Sequence, residues 1–320
     1  MSSHHICILG GTGFVGSQLC QKLVKQGHRL KLLCRRRGDR RHLTLLPGVT
    51  IIEADIHQPE QLLTHFAGCD VVINLTGILF EQGKNTFQRV HAELPGKIAA
   101  ACQQLGIRRV LHMSALNAAT DAPSHYLQSK AAGEQALHSA NDLDVTSFQP
   151  SVIFGRRDSF FNKFAALLGN SPLLMPLPGS YARFAPVYVE DVARTFVETL
   201  DDKHSFGQHL ELCGPKQYTL LELVNYIKQQ RGMHCKVVLP LGPGLTSLMA
   251  KLLQFAPGKP LTPDNVLSMQ CDSVCASNWP ELLSFQPSSV EAVVPHYLGQ
   301  LRRQERLQRD RRSAGRDKDI

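Results

Sequence analysis

Hydrophobic and polar positions follow two regimes along the chain. From residue 5 to about 150, short apolar runs alternate with longer stretches whose apolar residues recur at helical spacing. Ile6–Leu9, Leu30–Cys34, Thr50–Glu53, Asp70–Leu75, Arg109–Met113 and Val145–Gln149 read as strands. Val15–Gln26, Pro59–Phe66, Phe87–Gln104 and Ser124–Ser139 read as the helices between them. That alternation is the signature of strand-helix-strand units in a parallel sheet. Right-handed crossovers then bring the C-terminal ends of all the strands to one edge, where ligands bind in open sheets.

Beyond residue 155 the chain is richer in Pro, Gly and Phe, as in Ser171-Pro172-Leu173-Leu174-Met175-Pro176-Leu177-Pro178-Gly179. The expected fold is therefore α/β, a Rossmann-type doubly wound parallel sheet with a smaller C-terminal substrate-binding lobe. Residues 1–155 form the dinucleotide domain in this reading, with 187–205 returning to it, and 156–300 form the lobe. Val187–Leu200 and Thr219–Gln230 read as further helices. Leu245–Phe255, with Leu248, Met249, Leu252 and Leu253, reads as an ordinary lobe helix in preference to a membrane-surface segment. The chain has no internal repeat, no apolar run of eighteen residues and no signal-peptide core, so a cytoplasmic protein is expected.

The net charge of +8 matters only through its distribution. Residues 301–320 form a basic polar tail, expected to be disordered, and a second cluster of arginines fills 35–41. Neither contains aromatics for stacking bases, so no nucleic-acid partner is expected. Nine scattered cysteines, several inside apolar runs, read as reduced and mostly buried thiols. Cys271 and Cys275 stand four apart, but no His or Cys pair at zinc-site spacing accompanies them, and no metal site is expected.

Gly10-Gly11-Thr12-Gly13-Phe14-Val15-Gly16 follows the first strand directly and opens the first helix. Glycines there allow a tight turn, close approach of a pyrophosphate to N–H groups at a helix N-terminus, and tight helix-on-strand packing. A glycine string alone is weak evidence; the strand before it and the helix after it supply the context the motif requires. The second strand then ends in Arg35-Arg36-Arg37, where an NAD-selective protein would offer an acid to the ribose. Guanidinium groups match a 2′-phosphate, so NADP(H) is the expected cofactor, with NAD(H) as the second choice; a solvated basic loop is the plain alternative. Asp55, with Ile56 beside it, is placed to meet the adenine, although a turn Asp explains it nearly as well. Tyr126 and Lys130 stand one helical turn apart, a spacing expected to lower the phenol pKa for proton transfer while a hydride moves. Such a pair arises readily by chance, and its weight comes from its position after the fifth strand.

Together, Gly10–Gly16, Asp55, Asn74-Leu75-Thr76-Gly77 and Tyr126–Lys130 resemble the extended or atypical branch of the short-chain dehydrogenase/reductases. Three further segments, 149–155 with 158–165, then 184–193 and 210–215, resemble a narrower group: bacterial relatives of the nucleotide-binding accessory subunit of mitochondrial complex I. The resemblance runs from residue 5 to about 300. It implies that Tyr126 and Lys130 are the catalytic pair, with Lys130 also holding the nicotinamide ribose. It further implies that Gly77 lets the backbone pass the cofactor and that Pro150, with Val152 near it, lies beside the nicotinamide. Ala115 stands where many extended members carry a Ser or Thr, leaving Ser114 as the third candidate for catalysis.

Two functional readings remain. One is an NADP(H)-dependent oxidoreductase, or an epimerase using transient oxidation, acting on an unidentified organic substrate. The other is a non-catalytic dinucleotide-binding protein with an assembly or redox-sensing role, in weak contact with a membrane surface or a respiratory complex. Phe80, Phe160, Phe161 and Phe164 are candidates to floor a substrate pocket, but lobe core is the commoner fate of such aromatics. Oligomeric state is not legible. The enzyme is the favoured reading.

Overall fold

The structure, a computed structural model, describes residues 3–35, 41–254, 261–277 and 279–299. Arg36 and the basic tail at 301–320 lie outside the described residues. Seven parallel strands form the central sheet: β1 (His5–Leu9), β2 (Arg29–Cys34), β3 (Val49–Glu53), β4 (Val71–Asn74), β5 (Arg109–Met113), β6 (Asp144–Pro150) and β11 (His209–Leu212). Their order is β11-β6-β5-β4-β1-β2-β3, so the chain reverses its direction of travel between β1 and β4. That reversal opens a crevice at the carboxyl ends of the strands.

Both faces of the sheet are covered, which is why the strands are continuous apolar runs. Ile6 and Ile8 of β1 point to one face, where they join Leu19 and Leu23 of α1 (Phe14–Lys25). Cys7 and Leu9 point to the other, with Leu62 and Phe66 of α3 (Pro59–Phe66) and Ile98 of α4 (Leu94–Leu105). A short α2 (Arg41–Thr44) precedes β3. Helix α5 (His125–His138) starts at Ser124, whose side chain accepts the Leu127 N–H, and fills the second face beside α4.

The remaining short strands are β7 (Ile153–Phe154), β8 (Leu174–Leu177), β9 (Arg183–Phe184), β10 (Val187–Tyr188), β12 (Tyr218–Thr219) and β13 (Val237–Pro240). The sequence pattern had read Val187–Leu200 as one helix; the structure begins it with β10 and continues in α7 (Val189–Glu198). Helix α7 lies on the main sheet against α1, and Phe196 stacks on Phe148 of β6 at 3.8 Å. Strand β11, which had no place in the sequence reading, extends the sheet beyond β6 with Leu212 opposite Pro150.

A separate apolar core holds the lobe, where α6 (Phe161–Asn170) packs on α8 (Leu220–Gln230). Phe160, Phe161 and Phe164 belong to this core, and Phe161 is fully buried. The remaining α-helices of the described residues are α9 (Pro243–Leu253), α10 (Pro263–Ser268) and α11 (Val290–Val294). Residues 261–277 form a strap back to the sheet: Ser273 O accepts from Ser151 Oγ at 2.6 Å and from Ala185 N at 3.0 Å. Cys213 and Cys275 are joined in a disulfide where the strap meets the end of β11, correcting the expectation that the cysteines are reduced. Their proximity comes from β11 joining the sheet, which spacing along the chain does not reveal. Cys7, Cys20, Cys69 and Cys102 are buried thiols.

Candidate dinucleotide and proton-transfer site

The turn after β1 is tight for reasons visible in each glycine. Gly10 has φ +78°, and its carbonyl accepts the Gly13 N–H at 2.9 Å. A side chain at Gly10 would stand 3.0 Å from the Leu75 backbone, because the ends of β1 and β4 are hydrogen-bonded neighbours. At Gly16 a Cβ would meet Gly11 Cα at 2.5 Å, so only glycine lets α1 sit this close to the turn. Helix α1 has no side-chain cap and no acidic residue in its first turn. Its N–H groups and its positive dipole end are thus left for an anion. Thr12, Phe14 and Val15 fill the same turn, all half-buried.

Arg35 is exposed immediately past β2, on the same sheet edge as the glycine turn. Asp55 is exposed two residues past β3. Its Oδ1 accepts the His57 N–H at 3.0 Å, which holds the carboxyl below its usual range. Ile56 packs against the core beside it. Leu75 is half-buried at the crevice. Pro150 is buried at the end of β6, where its carbonyl accepts the Leu116 N–H, and Val152 is half-buried, its carbonyl accepting from Val187 N. Arg156 and Arg157 are exposed and, with Phe14 and Ser17, line a cavity of about 400 Å³ on α1; sequence reading did not single them out.

The loop after β4 is held by a residue the sequence reading missed, His91. Phe87–Gln104 had read as one helix, but Gln88–Glu93 is π-helical and α4 begins only at Leu94. Pro95 lacks the N–H that a regular helix would direct at the His91 carbonyl. That carbonyl lies against α5, only 2.0 Å from where a Gly133 Cβ would be. His91 Nε2 accepts the Ile78 N–H at 3.0 Å, so its Nδ1 carries the proton and donates to Ser129 Oγ, also at 3.0 Å. Ser129 Oγ in turn donates to Tyr126 O at 2.7 Å. Burial, with Lys130 and His112 adding to it, drops the His91 pKa to about 2, so the ring is neutral. Asn74 Oδ1 accepts the Thr76 N–H at 3.1 Å, fixing the start of the same loop.

Gly77 is the meeting point. A Cβ there would be 3.4 Å from Lys130 Nζ and 3.7 Å from His91 Nε2. Lys130 is buried and donates to Met113 O at 3.1 Å. Burial lowers its pKa to about 8, and Glu134, one turn further along α5, opposes that shift. Tyr126 packs edge-on against Phe87 and His91, with ring centroids at 5.8 and 5.5 Å. Burial raises its phenol to about 12, correcting the expectation that the neighbouring ammonium lowers it. The phenol is therefore protonated at neutral pH. Ser114 is buried just past β5, beside the Glu134 carboxylate, whose charge it helps stabilise.

The strap reaches this site too. Asp264 of α10 accepts from His125 N at 2.8 Å and Tyr126 N at 3.2 Å, capping the helix that carries the pair. A cavity of about 520 Å³ lies alongside, lined by Phe87, His125, Gln128, Ser129 and Asp264 among others.

Comparison with known proteins agrees with this geometry. A family described as NAD(P)H-binding matches residues 10–203. The mouse protein "NADH dehydrogenase (ubiquinone) 1 alpha subcomplex subunit 9, mitochondrial" is 31% identical over 293 residues, covering 89% of this chain and 77% of that one. "Ceramide reductase" of Caulobacter vibrioides is 31% identical over 192 residues, 60% of this chain and 59% of that one. Among solved structures, a nucleoside-diphosphate-sugar epimerase from Staphylococcus aureus shares the fold with a TM-score of 0.70 at 16% identity, covering 92% of this chain and 99% of that one. The glycine turn, the uncapped α1 and the reversal of strand order fit a dinucleotide, and the chain belongs to the NAD(P)H-binding family of Rossmann-type, short-chain dehydrogenase/reductase-like proteins.

Proposed function

We propose that this protein is an NADP(H)-dependent oxidoreductase working in the reductive direction, with Tyr126 as proton donor. The observation that carries the reading is Lys130: a buried ammonium against the Gly77 loop, one turn from a half-buried, protonated phenol. A bound nicotinamide supplies the hydride. Tyr126 gives its proton to the carbonyl oxygen being reduced, and Lys130 holds the nicotinamide ribose and stabilises the phenolate left behind. Ser114 completes the set as a hydroxyl available to the substrate oxygen. The preference for NADP(H) rests on Arg35 and Arg36, and Pro150 and Val152 flank the nicotinamide side. Residues 1–155, with α7, act as the cofactor domain, and the lobe selects the substrate. Relatives named as reductases of ceramide and of 2-alkyl-3-oxoalkanoate support a carbonyl substrate.

The second reading, a dinucleotide-binding component of a respiratory assembly, is favoured by the long match to a mitochondrial NADH dehydrogenase subunit. One pair of variants separates the two. Under the enzyme reading, Tyr126→Phe keeps cofactor affinity and lowers turnover by about 10²–10⁴-fold. Lys130→Ala weakens both. Turnover that survives Tyr126→Phe rejects the mechanism. If a carbonyl screen yields no substrate and Lys130→Ala binds cofactor normally, the assembly reading replaces the enzymatic one.

A further inference from the structure

Helix α9 is built inside out. Its buried positions are Thr246 and Ala250, while Leu245, Leu248 and Leu252 are 59%, 56% and 67% exposed. The sequence reads this segment as an ordinary lobe helix in preference to a membrane-surface one; in the structure its leucine stripe faces out. A soluble helix normally turns its large apolar residues to the core.

The exposure continues into the chain before α9. Strands β8 and β13 pair in parallel with Val237 opposite Leu174, and both residues are exposed, as are Leu173 and Leu239. Their neighbours Met175 and Leu177 point inward to the lobe core. Of the twelve large hydrophobic side chains exposed among the described residues, seven lie in this part of the lobe. Concentration of this kind marks an interaction surface, where scattered single residues would not.

Charge identifies the occupant. Between Glu222 and Asp264 the sequence contains no Asp or Glu, while Lys228, Arg231, Lys236, Lys251 and Lys259 supply five cations. Lys251 is exposed in the last turn of α9, within one turn of Leu248 and Leu252. Exposed leucines beside Lys251, on a stretch of chain that carries cations and no carboxylate, match the interface of an anionic bilayer, which accepts leucines below its headgroups and attracts lysines at them. Among the described residues no helix is long and apolar enough to span a membrane, so the contact is peripheral.

We propose that β8, β13 and α9 form a docking surface for an anionic lipid bilayer, independently of the reaction the protein performs. The full chain is mixed with vesicles of phosphatidylcholine alone or with phosphatidylglycerol, and co-flotation is measured. The chain is expected to float with the anionic vesicles and to release them in part at high salt. The double variant Leu248→Glu, Leu252→Glu should lose at least about tenfold in partitioning, with circular dichroism and dinucleotide binding unchanged, since both side chains are exposed. A variant that binds as well as the parent overturns the proposal, because the basic tail would then suffice. A parent that binds neither vesicle overturns it in favour of a protein partner. A parent dimer that dissociates in the variant, without flotation of either, overturns it in favour of a second copy of this chain.

Discussion

His209 Nδ1 lies 2.8 Å from Glu134 Oε2, forming a pair that reaches from the half-exposed edge strand β11 to the buried face of α5, one turn from Lys130. Gln149 Nε2 donates to both Glu134 oxygens, at 2.9 and 3.0 Å. Burial alone would raise the Glu134 carboxyl; the hydrogen bonds from His209 and Gln149, with Ser114 nearby, bring it below its usual value. The charge that opposes the desolvation of Lys130 is thus itself held in place by the sheet.

Cofactor affinity should therefore depend on pH through Lys130. Its ammonium form is lost above about pH 8, so NADPH binding should weaken as pH rises through that value. Glu134→Gln removes the charge that opposes the shift, and the inflection should move to lower pH. Calorimetric titrations across the range check both statements. An inflection that stays put in Glu134→Gln would show that the carboxylate does not act on Lys130.

Stability should carry the signature of His209. Its pKa is raised by Glu134, so its contribution is complete below about pH 6.5 and is lost as pH rises through the folded-state value. His138, stacked on it at 4.1 Å and lowered to about 4 mainly by burial, acts with the opposite sign: its contribution is lost as pH falls from 6.5 toward 4. The difference between parent and His209→Gln isolates the first effect. Melting temperatures should differ more at about pH 6 than at about pH 8.5, and a constant difference would exclude the ion pair as its source.

His91→Phe keeps a ring in the site but leaves the Ile78 N–H without its acceptor. Urea unfolding should show a loss of about 1–3 kcal/mol, and NADPH affinity should fall as the Gly77 loop loosens. Stability and affinity both at the parent level would mean that His91 does not hold the loop.

Asp264→Ala removes the acceptor for two N–H groups at the start of α5. The expected loss is about 0.5–2 kcal/mol, measured by thermal or urea unfolding. Turnover should fall with it if the strap positions Tyr126; an unchanged protein would show that the cap is made elsewhere.

What the sequence revealed depended on distance along the chain. The glycine turn, the strands from β1 to β6 and the Tyr126–Lys130 spacing are local patterns, and each lies where the pattern put it. His91 was hidden because its role needs the π-helical stretch before Pro95 and the approach to Gly133, neither of which periodicity reports. The Cys213–Cys275 pair depends on β11 joining β6 and on the strap crossing to it. Spacing brought an ammonium within a turn of the Tyr126 phenol, but it carried no information on burial, and burial decided the direction of that pKa. The same limit applies to α9, where periodicity found the leucine stripe and could not say which way it faced.

Everything proposed for this chain depends on its binding a dinucleotide phosphate at the crevice between β1 and β4. The direct measurement is a calorimetric titration of the purified full chain with NADPH and with NADH. Both should bind, NADPH more tightly by about tenfold or more, with most of that margin lost in the Arg35→Ala, Arg36→Ala double variant. Equal affinities in the unmodified protein would contradict the NADP(H) assignment, and no binding of either would contradict the site itself.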